Sequence, residues 1–319
     1  MTAPSFQVTE WNRVLDEWSI ALQCPLCRTT MDSALCPSCA FEMANHNGIL
    51  YALPPERVVY YERFIADYEY IRASEGRGSN GDNFYLSLPY QDLSGKNSDQ
   101  WQIRARSFDH LRDHVLLPNL KDGAKILDLG AGNGWMSFRL ALAGYRPCAV
   151  DLLTNDNDGL GAAKHYRGAL PRLFPRFQAE MTHLPFQDGQ FEAVVFNASF
   201  HYAEDPEAAI REALRCVRTN GLVIICDTPW YSRETSGRQM VEERRAAFLK
   251  TYGTASDSIE CAEFLTPDRL RFLEQRLSIR WTVHSPNYGL RWAMRPIVAK
   301  LRQKREPSRF RIYFTRKTA

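Results

Sequence analysis

From about Trp101 onward, short apolar runs alternate with amphipathic stretches. Ile126 to Leu129 and Pro147 to Val150 read as strands, and the apolar runs that end at Asn197 and before Pro229 read as a fourth and a fifth. Residues 280–289 read as a sixth strand, and "RFRIYFTRK" (309–317) alternates as a last one does. The spacing between these runs is helical. Two starts are marked by a capping residue followed by proline, Asp205 with Pro206 and Thr266 with Pro267. Residues 291–305 predict a helix between the last two strands. Such alternation predicts an α/β domain with a parallel sheet and helices on both faces.

Upstream of Trp101 the pattern changes. Residues 5–23 predict a short helix around Val14, Leu15 and Trp18, and four cysteines follow at once. Residues 54–72 carry aromatics at helical spacing and predict a connecting helix, while "SEGRGSNGDN" (74–83) breaks the periodicity and reads as a mobile loop. The expected division is a helix and four-cysteine unit over 1–55, a connecting helix and loop in position to cover a cleft over 56–100, and the α/β domain over 101–319.

Chemistry concentrates in "KILDLGAGNGWMSFRLALAGYRPCAVDL" (125–152). A strand runs into Gly130, Gly132 and Gly134, a helix follows, and a second strand ends on Asp151. Glycines let backbone approach a ligand, and a carboxylate about twenty residues on can grip ribose hydroxyls. The third glycine of a dinucleotide fingerprint would fall at Trp135 and is missing. Asp128 puts negative charge where a pyrophosphate would be repelled and a cation welcomed. The expected ligand is a nucleoside bearing positive charge.

On these residues, and on the stretch 179–230, the chain resembles the class I S-adenosylmethionine-dependent methyltransferases, and within them the ubiquinone and menaquinone biosynthesis (UbiE-like) branch. The resemblance implies a Rossmann-like seven-stranded sheet. It implies that Asp128, Gly130, Ala131, Gly132 and Gly134 cradle the methionine part of the cofactor, that Asp151 with Leu152 holds the ribose, that Glu180 contacts the adenine amine and that Met181 flanks the ring. Glu180 departs from the Asp more common in the family. Asn197, at the end of the fourth strand, is grouped with the cofactor residues; its other reading is a buried structural hydrogen bond.

A sulfonium is already an activated methyl donor, so alignment of the acceptor lowers much of the barrier. His201 and Tyr202 follow the fourth strand, whose carboxyl end faces the cleft in open α/β sheets. His201 is the candidate base, and packing beside the cofactor is its alternative. Acceptor recognition is expected from residues 229–253, read as a loop and helix over the cleft with Trp230 and Tyr231 against an apolar pocket, and from Tyr90, Trp101 or Arg104 in the stretch before the core.

Cys24, Cys27, Cys36 and Cys39 form two C-x-x-C pairs, the arrangement of a closed four-thiolate structural zinc site, with a redox dithiol as the alternative. The stretch resembles the zinc ribbon of bacterial ribosomal RNA guanine methyltransferases and of small zinc-ribbon methyltransferase activators, although the former family commonly uses a later histidine that here has no counterpart. Cys148, Cys216, Cys226 and Cys261 are isolated and read as buried thiols or, for the last, an unassigned one.

The formal charge of +3 over 319 residues is unevenly spread. Residues 291–317 hold ten Lys or Arg against Glu306 alone, so a phosphate contact and a merely solvated strand face stand side by side. Nothing resembles a membrane span or a secretory leader, and the expected location is the cytoplasm. Three readings follow: an enzyme methylating a small-molecule acceptor, an RNA base methyltransferase using the ribbon and the basic C-terminal segment, and a noncatalytic zinc-ribbon adaptor. An enclosed apolar cleft favours the first; a continuous basic groove from ribbon to site favours the second.

Overall fold

The computed structural model describes residues 17–318. Most of the helix expected over 5–23 lies outside them. Residues 17 and 18 are helical, and Leu22–Gln23 is a strand, β1, paired antiparallel with β2, Thr30–Met31. The switch from helix to hairpin follows from the cysteines, whose turns fix the backbone on either side. Arg28 N donates to Cys24 O and Cys24 N to Thr29 O; twelve residues on, Ala40 N donates to Cys36 O and Cys36 N to Phe41 O. Arg28 and Ala40 both take positive φ, 64° and 58°. The two C-x-x-C pairs are thus two copies of one tight turn.

Next come β3, Ala44–His46, and β4, Ile49–Tyr51, then three helices, α1 Pro55–Ser74, α2 Asp82–Ser87 and α3 Ser98–Leu111. The α/β region follows as β5 Lys125–Leu129, α4 Trp135–Leu142, β6 Arg146–Asp151, β7 Arg176–Gln178, β8 Phe191–Asn197, α5 Pro206–Cys216 and β9 Val217–Cys226. It ends with α6 Glu234–Tyr252, α7 Pro267–Leu277, β10 Thr282–His284, α8 Leu290–Ala293, α9 Arg295–Leu301 and β11 Ile312–Arg316. Asp205 accepts from Ala208 N and Thr266 from Arg269 N, so both marked helix starts are real caps.

One sheet of nine strands runs in the order β10-β11-β9-β8-β5-β6-β7-β4-β3. The run from β9 to β4 is parallel and the two ends are antiparallel. The seven expected strands are present, and β4 and β3 extend them past the third, so the N-terminal segment is part of the main sheet. Central strands covered on both faces are apolar throughout, and the pleat sends alternate residues to opposite layers. Leu127, Leu129, Val194, Phe196, Val223 and Ile225 face one layer, and Ile126, Ala193, Val195, Leu222 and Ile224 the other. Cys24, Cys36, Met31 and Met43 belong to the first layer, beside Phe177 and Phe186.

Strand order reverses at β5, where the chain first moves outward through β6 and β7 and then returns to β8 on the other side. The crevice at the carboxyl ends of β5 and β8 is therefore the topological switch point, where open α/β sheets bind ligands.

A buried ionic hub ties the cysteine unit to this frame. Glu212 of α5 accepts from Arg28 at 2.7 Å, from Arg215 at 2.8 Å and from Leu184 N at 2.8 Å. Removing one partner of a buried pair strands the others, so Glu212→Ala is expected to lose about 3 kcal/mol or more. The Arg28 side chain is 38% exposed and Arg215 would remain on Glu212, so Arg28→Ala is expected to cost about 1 kcal/mol or less. Chemical denaturation of the two variants measures the difference.

Candidate functional site

A cavity of about 380 Å³ opens at the switch point. Its floor is the turn after β5, where Gly130, Gly132 and Gly134 have φ of 75°, 54° and 75°. Gly130 needs to be glycine twice over, for its left-handed φ and because a Cβ there would stand 2.2 Å from Ser199 Cβ. Ser199 Oγ donates to Leu129 O at 2.5 Å and so fastens the end of β8 to the end of β5.

Two carboxylates anchor the floor. Asp151 accepts from Gly132 N at 2.7 Å and from Leu153 N at 2.8 Å, tying the glycine turn to the end of β6. Asp128 lies below the turn, 1% exposed; Ser137 Oγ donates to its Oδ2 at 2.8 Å, while Oδ1 has no partner. Burial raises both carboxyls, Asp151 to about 6 despite the amides it accepts, and Asp128 to about 7 with the nearby Asp151 charge contributing. A cation above the turn would relieve what burial costs these groups.

The roof is α1. Arg57, Tyr61, Phe64, Tyr68 and Arg72 fall on one helical stripe and all line the cavity. Ion pairs hold this helix down at both ends. Arg57 reaches Glu180 at 2.7 Å and Glu204 at 3.0 Å, and Arg72 reaches Asp158 at 2.5 Å. Tyr61 OH donates to Glu204 at 2.5 Å, and Tyr202 from the other wall packs edge-on against Phe64 and Tyr68. Five carboxylates and three guanidiniums line the cavity. With Arg57 and Arg72 committed to acids, the charge balance favours a cationic guest.

Of the residues singled out from the sequence, Gly130, Ala131, Gly132, Asp151, Leu152, Glu180, Met181, Asn197 and Tyr202 line this cavity together, as do Trp101 and Arg104. Asp128 and Gly134 sit just behind it. Glu180 is 4% exposed, and Arg57 and Tyr61 occupy its Oε2 while His183 stands 3.2 Å from Oε1. Burial alone would raise this carboxyl, but hydrogen bonds from His183 and Arg57 carry it below its ordinary value. His183 thus helps hold Glu180 ionised from the side away from Arg57.

His201 does not reach the cavity. Of the short 3₁₀ turn Phe200–Tyr202, Tyr202 lines the cavity and His201 does not; the His201 ring packs against Tyr202, and Glu263 N donates to the His201 carbonyl. Burial first, then the charges of Arg244 and Arg104, push its imidazole down to about 3, so it is neutral and weakly basic. The loop and helix over 229–253 do not line the cavity either. Trp230 and Arg309 exchange backbone hydrogen bonds and Tyr231 N donates to Leu265 O, which turns the start of that segment toward the C-terminal strands, while Tyr252 at its helix end stands edge-on to Tyr70 of α1. Tyr90 also lies away from it and bonds to Asp109 at 2.8 Å.

Among the cavity residues that escaped the sequence reading are Arg57, Arg72, Asp158 and Glu204. The stripe spacing of residues 57, 61, 64, 68 and 72 was the available signal for the first two. Asp227, at the end of β9, was also missed. It is buried with φ of 50°, accepts from Ser107, and is raised to about 6 by burial.

The four cysteines form a second centre. Their sulfurs lie within 4.8 Å of one another, with Cys24–Cys39 and Cys27–Cys36 at 3.5 Å. Metal–sulfur bonds of about 2.3 Å in a tetrahedron separate sulfurs by roughly 3.8 Å, so the set fits one four-thiolate ion. None of the four lines the cavity.

Residues 127–225 match the family described as a methyltransferase domain. A demethylmenaquinone methyltransferase of Mycolicibacterium gilvum is 33% identical over 118 residues, 37% of this chain and 46% of its own length. One of Mycolicibacterium paratuberculosis is 27% identical over 176 residues, 53% of this chain and 70% of its own. The chain thus spans under half the length of the first of these relatives. Among solved structures, Haemonchus contortus phosphoethanolamine N-methyltransferase 2 in complex with S-adenosyl-L-methionine aligns with a TM-score of 0.48 at 13% identity, over 69% of this chain and 53% of that one.

The Gly130–Ser199 contact is open to a direct check. Gly144 has φ of 85° and open space around it, so Gly144→Ala is expected to cost only the left-handed strain, about 1–2 kcal/mol. Gly130→Ala adds a clash expected to cost about 1–3 kcal/mol more. Combining it with Ser199→Gly should recover about 1 kcal/mol, read as coupling in a double-mutant cycle of unfolding free energies.

Proposed function

We propose that this chain is an S-adenosylmethionine-dependent methyltransferase that transfers a methyl group to an O, N or C atom of a small-molecule acceptor. The observation that carries the reading is the roofed cavity at the switch point, where buried carboxylates underlie a glycine turn and an aromatic stripe closes the top. The methyltransferase-domain match over residues 127–225 supports it. Relatives named as demethylmenaquinone methyltransferases support a small-molecule acceptor.

When bound, the cofactor supplies an activated methyl on a positively charged sulfur. Asp151 retains lone pairs to accept ribose hydroxyls while its backbone bonds hold it still. Asp128 stabilises positive charge through the turn without touching the ligand. Tyr61, Phe64, Tyr68 and Tyr202 exclude water and confine the acceptor, which turns a bimolecular encounter into a positioned one. The cleft-lining part of His201 falls to Tyr202.

The RNA reading has less support. The four-cysteine unit leads into β3 and β4 at one edge of the sheet, whereas the basic segment 291–317 flanks β10 and β11 at the other. We further propose a structural zinc ion at the cysteines, bracing β1 and β2 against the sheet face, and a cytoplasmic location. No helix among the described residues is long and apolar enough to cross a membrane.

Labelled S-adenosylmethionine, supplied to the purified protein with separate metabolite and RNA fractions of its source cells, is expected to label the metabolite fraction. Label confined to RNA would reverse the choice of acceptor. Cofactor affinity carries a sign that can be worked out. An ionised Asp128 favours a cation, its carboxyl titrates at about 7, and so affinity should rise between about pH 6 and 8 and fall on acidification. Calorimetric titration should give that slope, and Asp128→Asn should flatten it. Metal analysis is expected to return one zinc per chain, with Cys39→Ser losing it and lowering Tm by about 5 °C or more, on a scale of about 2–4 °C per kcal/mol.

A further inference from the structure

The basic C-terminal segment has a use that the methyl-transfer reading leaves open. A second cavity of about 310 Å³ lies between residues 285–296 and 307–311, on the β10–β11 side of the sheet. Arg295, Arg309 and Arg311 line it, together with Tyr288 and the rings of Trp292 and Phe310, and no carboxylate does. The rings are stacked, with centroids 5.6 Å apart and an interplanar angle of 26°.

No acid among the described residues pairs with these three arginines. Arg305 takes Glu243 at 2.7 Å. Glu306, the one acid of the segment, accepts from Ser232 N and Oγ at 2.7 Å and from Arg233 N at 3.2 Å. What holds the guanidiniums instead is aromatic faces: Arg295 sits 3.8 Å above Trp292 and Arg311 3.8 Å above Trp230. Stacking fixes the plane of a guanidinium and leaves its N–H edge free to donate. Arg295 Nη1 is buried and has no partner. Burial, with the charge of Arg305 beside it, lowers the basicity of Arg295, which marks a cation short of an anion.

We propose that this cavity binds the phosphate group of a small phosphomonoester. A dianion with three outward oxygens matches converging guanidinium forks, and each such bond is charge-assisted. The Trp292–Phe310 pair offers an apolar flank for the organic part. About 310 Å³ is at the small end of ligand pockets, which suits a metabolite and not a polymer. A nucleic acid backbone would meet cations strung along a face, whereas these three turn into one concavity. The site is independent of the cofactor cleft, and its occupation does not require methyl transfer.

Isothermal titration of the full chain with phenyl phosphate tests this. Saturable binding at one site per chain is expected, displaced by inorganic phosphate. Arg295→Gln and Arg311→Gln should each weaken it roughly tenfold, the worth of one charged hydrogen bond. Arg309→Gln, at an exposed position, gives the same readout should either of the others fail to fold. Arg302→Gln, exposed on the same segment but outside the cavity, should leave the affinity within about twofold. An equal loss in Arg302→Gln would reveal a diffuse basic surface and overturn the site, as would the absence of saturable binding. A ten-nucleotide single-stranded RNA is the remaining arm: if it binds, resists phenyl phosphate and loses affinity in Arg295→Gln, the pocket belongs to a nucleic acid backbone instead.

Discussion

Everything at the main cleft depends on holding one carboxylate out of water beneath, and a second half-buried beside, a backbone turn that only glycine can make. Asp151 spends its oxygens on the amides of Gly132 and Leu153, which sets the height of the turn above the sheet. Asp128 supplies charge from below with one oxygen unpartnered. Burying such groups costs free energy in the empty protein, and a positively charged guest offsets that cost.

The roof obeys the same electrostatic logic at a larger scale. A helix with mostly exposed and partly exposed side chains, Pro55–Ser74, lies over an aromatic cavity because Arg57 and Arg72 find buried or half-buried acids on the opposite walls. Apolar contact from Tyr61 and Phe64 adds to these anchors without replacing them. Glu180 shows the consequence most clearly, since the carboxylate that the family resemblance assigns to an adenine amine is already shared with Arg57 and Tyr61.

Much of this was legible in the chain itself. Strands with both faces covered announce themselves as continuous apolar runs, and two capped helices carry their signals in adjacent residues, so the α/β order and the glycine turn could be read directly. The cysteine spacing likewise encodes a local geometry. What stayed hidden depended on side-chain direction after a strand or along a helix. A 3₁₀ turn decides that Tyr202 and not His201 faces the cavity, and nothing in "SFHYAE" fixes that rotation. Residues 229–253 follow β9 in sequence, yet Trp230 pairs with Arg309, seventy-nine positions later, and none of the segment lines the cavity. Long-range pairing also explains the extra strands, because β4 reads as the tail of the cysteine unit until β7 is beside it.

That last pairing constrains how the chain acquires its shape. Ile49 and Arg176 are register partners in a parallel ladder, so the strand that leaves the cysteine unit cannot be completed until the polypeptide has been made well past the middle. The two cysteine turns close within a few residues and can form as soon as they emerge, whereas the edge they lead into waits on a contact of high sequence separation. The strand behind the cysteine turns therefore keeps one edge unpaired until β7 has been made, while the strands from β8 onward follow later still.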